Sequence, residues 1–200
     1  MTEITRLHVR QKVAVMVNQY WVSAADEATG PTQLLAFAQQ KRMKLKEEVS
    51  FFTDESKRQV AFGFRSRQVI DLAATTDVFD AHRTPIGVFR KDAVKSLLNS
   101  TWQITAGTVS ATGRERSQNV ALARRFGEML PVVGDVMGMI PWQFHFDFID
   151  PSGTTVLSVE RQRKVRDNYV TTIRPDAHGN RLDWRFAAAI TVALDAFQGR

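Results

Sequence analysis

The sequence contains no cysteine, and this absence excludes disulfide bonds, thiolate metal sites, a cysteine nucleophile and palmitoylation. The 200 residues also contain no apolar run long enough to span a membrane. The first residues, MTEITRLHVRQK, lack the apolar core of a signal peptide. These absences predict a cytoplasmic protein without a membrane-spanning segment.

Recognisable catalytic motifs are also missing. The serines lack a G-x-S-x-G context, and the glycines at Gly134 and Gly138 are not followed by the Lys-Ser/Thr pair of a phosphate-binding loop. The 4 histidines lie in separate segments. His145 and Asp147 share one face of a predicted strand, but a metal site needs about three or four ligands and no third one is visible. The sequence therefore predicts a protein that is not an enzyme and that uses no metal or other cofactor.

The overall charge is basic. Lysine and arginine total 27 against 21 aspartates and glutamates, a formal net charge of +6. Such a balance favours acidic partners, either anionic lipid or nucleic acid, although a soluble basic protein without such a partner is the alternative. The apolar content of 44% is ordinary for a globular protein. We expect a single domain over residues 1–200, with a core from about 12 to 198.

Short segments rich in β-branched and aromatic residues predict a mainly β protein. The predicted strands are Val13–Val22, Leu34–Ala38, Val49–Phe52, Val60–Phe64, Val69–Leu72, Asp77–Phe79, Ile86–Phe89, Leu97–Ile104, Trp142–Ile149, Val156–Val159 and Tyr169–Ile173. Turns that begin with aspartate and contain glycine separate several of them: Asp26 to Gly30, Asp80 to Gly87, Asp150 to Gly153 and Asp176 to Gly179. This pattern is typical of consecutive hairpins.

Two helices are predicted. The segment from Arg114 to Leu130 has its apolar residues at helical spacing, which indicates an amphipathic surface helix. The segment from Leu182 to Phe197 is apolar nearly all round, with Asn180 as the predicted N-cap. It is shorter than the roughly 20 residues needed to cross a bilayer, so it must be surrounded by protein. A closed antiparallel barrel wrapped around this C-terminal helix would bury the helix on all sides and would leave the hairpins without open strand edges.

Several stretches resemble the LURP-one-related and phospholipid-scramblase-like proteins, whose fold is shared with the Tubby C-terminal domain. They are AFAQQKRMKLKEEVSFF leading into FRSRQVIDL, IGVFRKDAVKSLLNSTWQI, the hairpin FHFDFIDPSG with VERQRKVRDNYV, and the final apolar helix. The resemblance covers about residues 12 to 198. It implies an antiparallel barrel of about twelve strands around a hydrophobic C-terminal helix.

The resemblance carries only part of its families' functions to this chain. Animal scramblases have a proline-rich tail, a palmitoylated cysteine cluster and an acidic calcium-binding segment. This sequence has no cysteine, and only Asp176 precedes the helix that contains Asp183. Calcium-triggered lipid scrambling is therefore not expected. Tubby domains bind phosphoinositide headgroups through basic residues, but no Tubby motif aligns clearly enough to transfer a residue.

Clustered lysines and arginines are the candidate binding residues. They are Lys41, Arg42, Lys44, Lys46, Arg65, Arg67, Arg161, Arg163, Lys164 and Arg166. If they converge on one side of the barrel, they predict a non-enzymatic module that recognises anionic lipid headgroups at the cytoplasmic face of the membrane. The alternative is a protein-interaction or scaffold domain with no lipid ligand. Nucleic acid is the less favoured partner, because no aromatic stacking platform or recognition helix accompanies the charges.

An apolar segment from Pro131 to Trp142 has no periodicity. Its apolar residues include Val132, Val133, Met137, Met139 and Trp142. One interpretation places it across a mouth of the barrel as a plug, and another leaves it exposed as a shallow membrane-inserting loop. Asp135 opposes deep insertion and favours the plug.

Overall fold

In a computed structural model, residues 3–13, 17–41, 48–67, 75–92, 101–115, 145–162 and 168–198 are described. Within these ranges the chain forms twelve strands and one helix. They are β1 (Arg6–Val13), β2 (Val17–Asp26), β3 (Gly30–Lys41), β4 (Glu48–Phe52), β5 (Val60–Ser66), β6 (Thr75–Asp80), β7 (Pro85–Lys91), β8 (Thr101–Ala106), β9 (Val109–Glu115), β10 (His145–Ile149), β11 (Thr155–Arg161), β12 (Asn168–Ile173) and α1 (Trp184–Gln198).

The strands form a closed barrel in which each pairs with its neighbours in sequence, and β1 closes the barrel against β12. All of these pairings are antiparallel. Because the sheet is closed, it has no edge strand. The predicted closed antiparallel barrel around a C-terminal helix is confirmed.

Two details of the strand prediction were wrong. The segment predicted as one strand from Val13 to Val22 contains the end of β1 and part of β2, and β1 starts at Arg6. The strand β9 was not predicted, and Arg114 belongs to it rather than to a surface helix. In its sequence, VSATGRE, glycine occupies the inward position 113, because a Cβ there would collide with the Phe148 ring. The remainder of that predicted helix, from residue 116 onwards, and the predicted strand Val69–Leu72 lie outside the described residues.

Helix α1 fills the barrel. Every side chain from Phe186 to Ala196 is buried, and the run includes five alanines, at positions 187, 188, 189, 193 and 196. Small side chains allow the helix and the surrounding strands to approach closely. On β7, a Cβ on Gly87 would lie 2.6 Å from the Phe186 ring, so glycine is required at this contact. The prediction that protein surrounds this helix is confirmed.

The cap at the start of α1 differs from the predicted one. The Asp183 carboxylate accepts a hydrogen bond from the Arg185 backbone N–H at 2.8 Å, and the Asp183 carbonyl accepts the first helical bond, from Ala187. Asp183 is therefore the N-cap. Asn180, the predicted cap, instead donates from its backbone N–H to the Asp176 carboxylate at 2.8 Å.

The aspartate-led turns share a hydrogen bond to the first aspartate from the backbone N–H two residues further on. Gly153 and Gly179 have positive φ angles at the fourth position of their turns. In the Asp80 turn, however, Arg83 has the positive φ of 66°, whereas Gly87 lies within β7. The expectation that glycine provides the positive φ was therefore wrong for this turn.

The aspartates of these turns indicate that the folded protein loses stability in acid. The backbone N–H groups of Ala28 and Thr29 hold the pKa of Asp26 below its ordinary value. The unfolded chain therefore binds more protons than the folded one below about pH 4, and stability falls as the pH drops through that window. Replacing Asp26→Asn should flatten the pH dependence of the melting temperature between about pH 5 and pH 2. The control is Glu27→Gln in the same turn, because the described structure assigns that side chain only a 3.7 Å ion pair with Arg6. An unchanged slope in Asp26→Asn would contradict the prediction.

Candidate functional site

The ends of the odd-numbered strands define one mouth of the barrel. Because neighbouring strands are antiparallel all the way round, β1, β3, β5, β7, β9 and β11 run in the same direction and end at the same side. We call this side the odd-strand mouth. Its strand ends are Val13, Lys41, Ser66, Lys91, Glu115 and Arg161. The aspartate-led turns follow even-numbered strands, and they therefore lie at the opposite side, the turn mouth.

Three of the predicted basic clusters meet at the odd-strand mouth. Lys41 is the last residue of β3, Arg65 is next to last in β5, and Arg161 is the last residue of β11. The side chains of Arg65 and Arg161 are exposed. The side chain of Lys41 and the residues Arg42, Lys44, Lys46, Arg163, Lys164 and Arg166 lie outside the described residues, as does the apolar segment with Val132, Val133, Met137, Met139 and Trp142.

Arg65 and Arg67 differ in their interactions. Arg67 donates two hydrogen bonds to the Asp77 carboxylate, at 2.8 and 2.7 Å, and these bonds raise the pKa of Arg67. Arg65 lies in register between Glu48 and Asp77. Among the described contacts, its guanidinium has no hydrogen bond or ion pair. Arg65 is therefore the more available of the two for a ligand.

Further cations at this mouth were not among the predicted site residues. Lys12 is next to last in β1, Arg90 and Lys91 end β7, and Arg114 is next to last in β9. Each of the six odd-numbered strands thus carries a lysine or arginine at its last or next-to-last position. A repeated sequence pattern could have revealed them. A lysine or arginine ends one strand, and an aspartate begins the turn that follows the next strand.

A buried polar cluster lies inside the barrel near this mouth. Asp195 of α1 is 8% exposed. Its carboxylate accepts hydrogen bonds from Gln11 Nε2 at 2.5 Å, from the Tyr20 hydroxyl at 2.8 Å, and from the Tyr169 hydroxyl. Burial, and then the neighbouring Asp195 charge, raises the pKa of Tyr20. The cluster ties the last turn of the helix to β1, β2 and β12. The Tyr20 hydroxyl therefore remains a protonated donor.

A second inward group is Gln40 on β3, which is 3% exposed. Within the described part of the chain neither nitrogen nor oxygen of its side-chain amide has a hydrogen-bond partner, and the same holds for the Oδ1 of Asn18, which lies opposite it on β2. The inner wall at this mouth is therefore polar along β2 and β3, whereas Val49, Phe64 and Trp102 make it apolar further round the barrel. The sequence analysis missed this group, although Gln40 shares the inward alternation of Ala36 and Ala38.

The described part of the chain holds no arrangement typical of a metal or catalytic site. His145 and Asp147 are not bonded to each other: His145 Nε2 lies 2.7 Å from Glu160 Oε1, and the Ser158 hydroxyl donates to Asp147 at 2.8 Å. No group of three metal-ligating side chains is found in the described ranges. The single helix within them is also too short to span a membrane.

The comparison with protein families gives one match. A family model described as LURP-one-related matches residues 35–195, which is most of the chain. The match begins within β3 and ends in the last turn of α1, so it includes most of the barrel strands and the buried helix. No curated protein and no solved structure matches the sequence.

Proposed function

We propose, from the premise that this chain belongs to the LURP-one-related family, that it is a non-enzymatic binding module for anionic lipid headgroups at the cytoplasmic face of the membrane. In this proposal the odd-strand mouth faces the lipid surface. The turn mouth faces away.

The observation that carries the proposal is the convergence of cations at one mouth. Six strands that are distant in sequence each end with a lysine or arginine there. At the turn mouth, by contrast, the aspartates Asp26, Asp80, Asp150 and Asp176 begin the turns. The separation is partial, because Glu48 and Glu115 also lie at the odd-strand mouth and Lys57 and Arg58 lie at the turn mouth. In this proposal the row of strand-end cations orients the barrel in the field of an anionic membrane.

The expected attraction between these cations and an anionic membrane is sufficient for reversible binding of the protein to the membrane. Near an anionic membrane, each lysine or arginine contributes about 1 kcal/mol, and the contribution falls off within a Debye length. Several cations on one mouth would together give useful affinity, whereas one exposed cluster alone would not. Arg67 is expected to contribute less than Arg65, because Asp77 already neutralises it.

Vesicle co-sedimentation with matched charge variants tests this function. The double variant Arg65→Gln with Arg161→Gln should bind vesicles of phosphatidylcholine with phosphatidylserine roughly 10- to 30-fold more weakly than the wild type, as expected from the loss of about 2 kcal/mol. The effect should shrink as salt is raised, because the Debye length falls from about 10 Å at 0.1 M to about 3 Å at 1 M. Replacing Lys41, Arg42, Lys44 and Lys46 together should weaken binding further.

The control is the double variant Lys57→Gln with Arg58→Gln. It removes the same charge from exposed positions at the turn mouth. Binding by this control should remain close to that of the wild type. Equal losses in the two double variants would show that net charge alone attracts the protein. Wild-type binding by the odd-strand variant, or binding that does not require anionic lipid, would refute the proposal.

A further inference from the structure

The joint between β3 and β4 has the fewest paired residues among the joints of the barrel. Within the described ranges, the register joins only Phe37 with Phe52 and Ala38 with Phe51. The other neighbouring strands are each joined by at least four such pairs. We call the joint between β3 and β4 the seam. Few backbone hydrogen bonds therefore hold the barrel closed at this place.

A buried amide lies beside the seam on the inner wall. Gln40 is 3% exposed, and neither the nitrogen nor the oxygen of its side-chain amide has a hydrogen-bond partner in the described structure. If the register of the seam is continued, Gln40 lies opposite Val49, which is buried and apolar. A buried amide without a partner destabilises the closed state, whereas water satisfies it when the strands separate.

Two side-chain contacts on the outer wall bridge the seam. Trp21 Nε1 donates to Glu55 Oε1 at 2.8 Å, and Lys57 Nζ donates to Gln39 Oε1 at 3.0 Å. Glu55 and Lys57 belong to the turn after β4, whereas Trp21 and Gln39 belong to β2 and β3. We call these two contacts the strap. Both are exposed, so water can replace either hydrogen bond when the strap opens.

The strands on the two sides of the seam are better attached to their other neighbours. Strand β4 pairs with β5 along its whole length, and the Phe51 ring stacks on the Phe62 ring of β5 with 4.2 Å between centroids. Strand β3 pairs with β2 from Gly30 to Lys41. When the seam separates, β4 therefore stays with β5 and β3 stays with β2.

We infer that the barrel opens reversibly at the seam, and that the strap sets how often it opens. Opening breaks the pairing of two residues on each strand, whereas opening at any other joint breaks the pairing of at least four. It admits water to Gln40 and leaves one edge of β3 and one edge of β4 unpaired. Local openings of this kind need less free energy than global unfolding. The inference does not depend on lipid binding.

Native-state hydrogen exchange of the full-length protein, followed by amide NMR, tests the inference. The relevant amides are those of residues 36–39 and 50–53 whose hydrogens point across the seam. They should exchange at least about tenfold faster than the amides that join β1 to β2, after correction for intrinsic rates. Low concentrations of denaturant should leave their rates unchanged, because a local opening exposes little surface.

The double variant Gln39→Ala with Glu55→Ala removes both acceptors of the strap. Exchange across the seam should become a further 3- to 30-fold faster, roughly as expected from the loss of two exposed hydrogen bonds. The amides that join β1 to β2 should keep their wild-type rates. The matched control is Arg67→Ala, which removes an exposed ion pair with Asp77 across the better-paired joint between β5 and β6. It should leave exchange across the seam unchanged.

Three results would overturn the inference. The first is exchange across the seam that is as slow as exchange between β1 and β2, or that has the same denaturant dependence as global unfolding. The second is an equal acceleration by Arg67→Ala. The third is an acceleration throughout the barrel in the double variant, because the strap would then stabilise the whole fold rather than the seam.

Discussion

Replacing Ala189→Asp should prevent the protein from folding. The side chain of Ala189 is completely buried inside the barrel. An unpaired charge there would cost several kcal/mol, compared with a total stability of about 5–15 kcal/mol for an ordinary domain. Leu194→Asp should have the same effect, since Leu194 is equally buried. The measurements are soluble yield, near-UV circular dichroism and the presence of a cooperative thermal transition.

The control for this substitution is Ala81→Asp, which introduces the same side chain at an exposed turn position. It should change the free energy of unfolding by no more than about 0.5 kcal/mol. Deletion of residues 182–200 should leave an insoluble or collapsed chain. A truncated protein that stays soluble and unfolds cooperatively would contradict the conclusion that the helix is the core of the barrel.

Replacing Asp195→Ala should destabilise the protein by several kcal/mol. Gln11, Tyr20 and Tyr169 all donate to this carboxylate, and its loss would leave three donors without their acceptor. Each buried donor left unsatisfied costs about 1–3 kcal/mol. Chemical denaturation should show a lower midpoint with an unchanged m-value, because the area exposed on unfolding is nearly the same.

Two further variants separate lost hydrogen bonds from lost packing. Asp195→Asn keeps the shape and one acceptor oxygen, so it should be less harmful than Asp195→Ala. In the background of Tyr20→Phe with Tyr169→Phe, Asp195→Ala should cause a smaller loss of stability, because two of the donors that it would leave without an acceptor are already absent. Additive losses in that double-mutant comparison would show that the polar cluster is not an interacting unit.

The sequence by itself determined the main architecture. Period-two alternation, as in the segment that contains β10, identifies the inward face of a strand without knowledge of its neighbours. A helix that is apolar on all sides has to be surrounded by protein. The missed strand β9 has glycine and alanine at inward positions, and the reason lies in its partners: a side chain at Gly113 would overlap Phe148. The segment VSATGRE does not itself contain this information, because Phe148 lies on another strand.

Only the tertiary structure decided which residues share a mouth. Every antiparallel connection reverses the direction of the chain. The mouth at which a cluster lies therefore depends on whether an odd or an even number of strands precedes it. The predicted merger of β1 with β2 and the omission of β9 each change that parity. The cations at Arg65 and Arg161 were visible in the sequence, whereas their common side required the correct order of twelve strands. The hydrogen-bond partners of Asp195 lie on three different strands, so no single segment of the sequence reveals them.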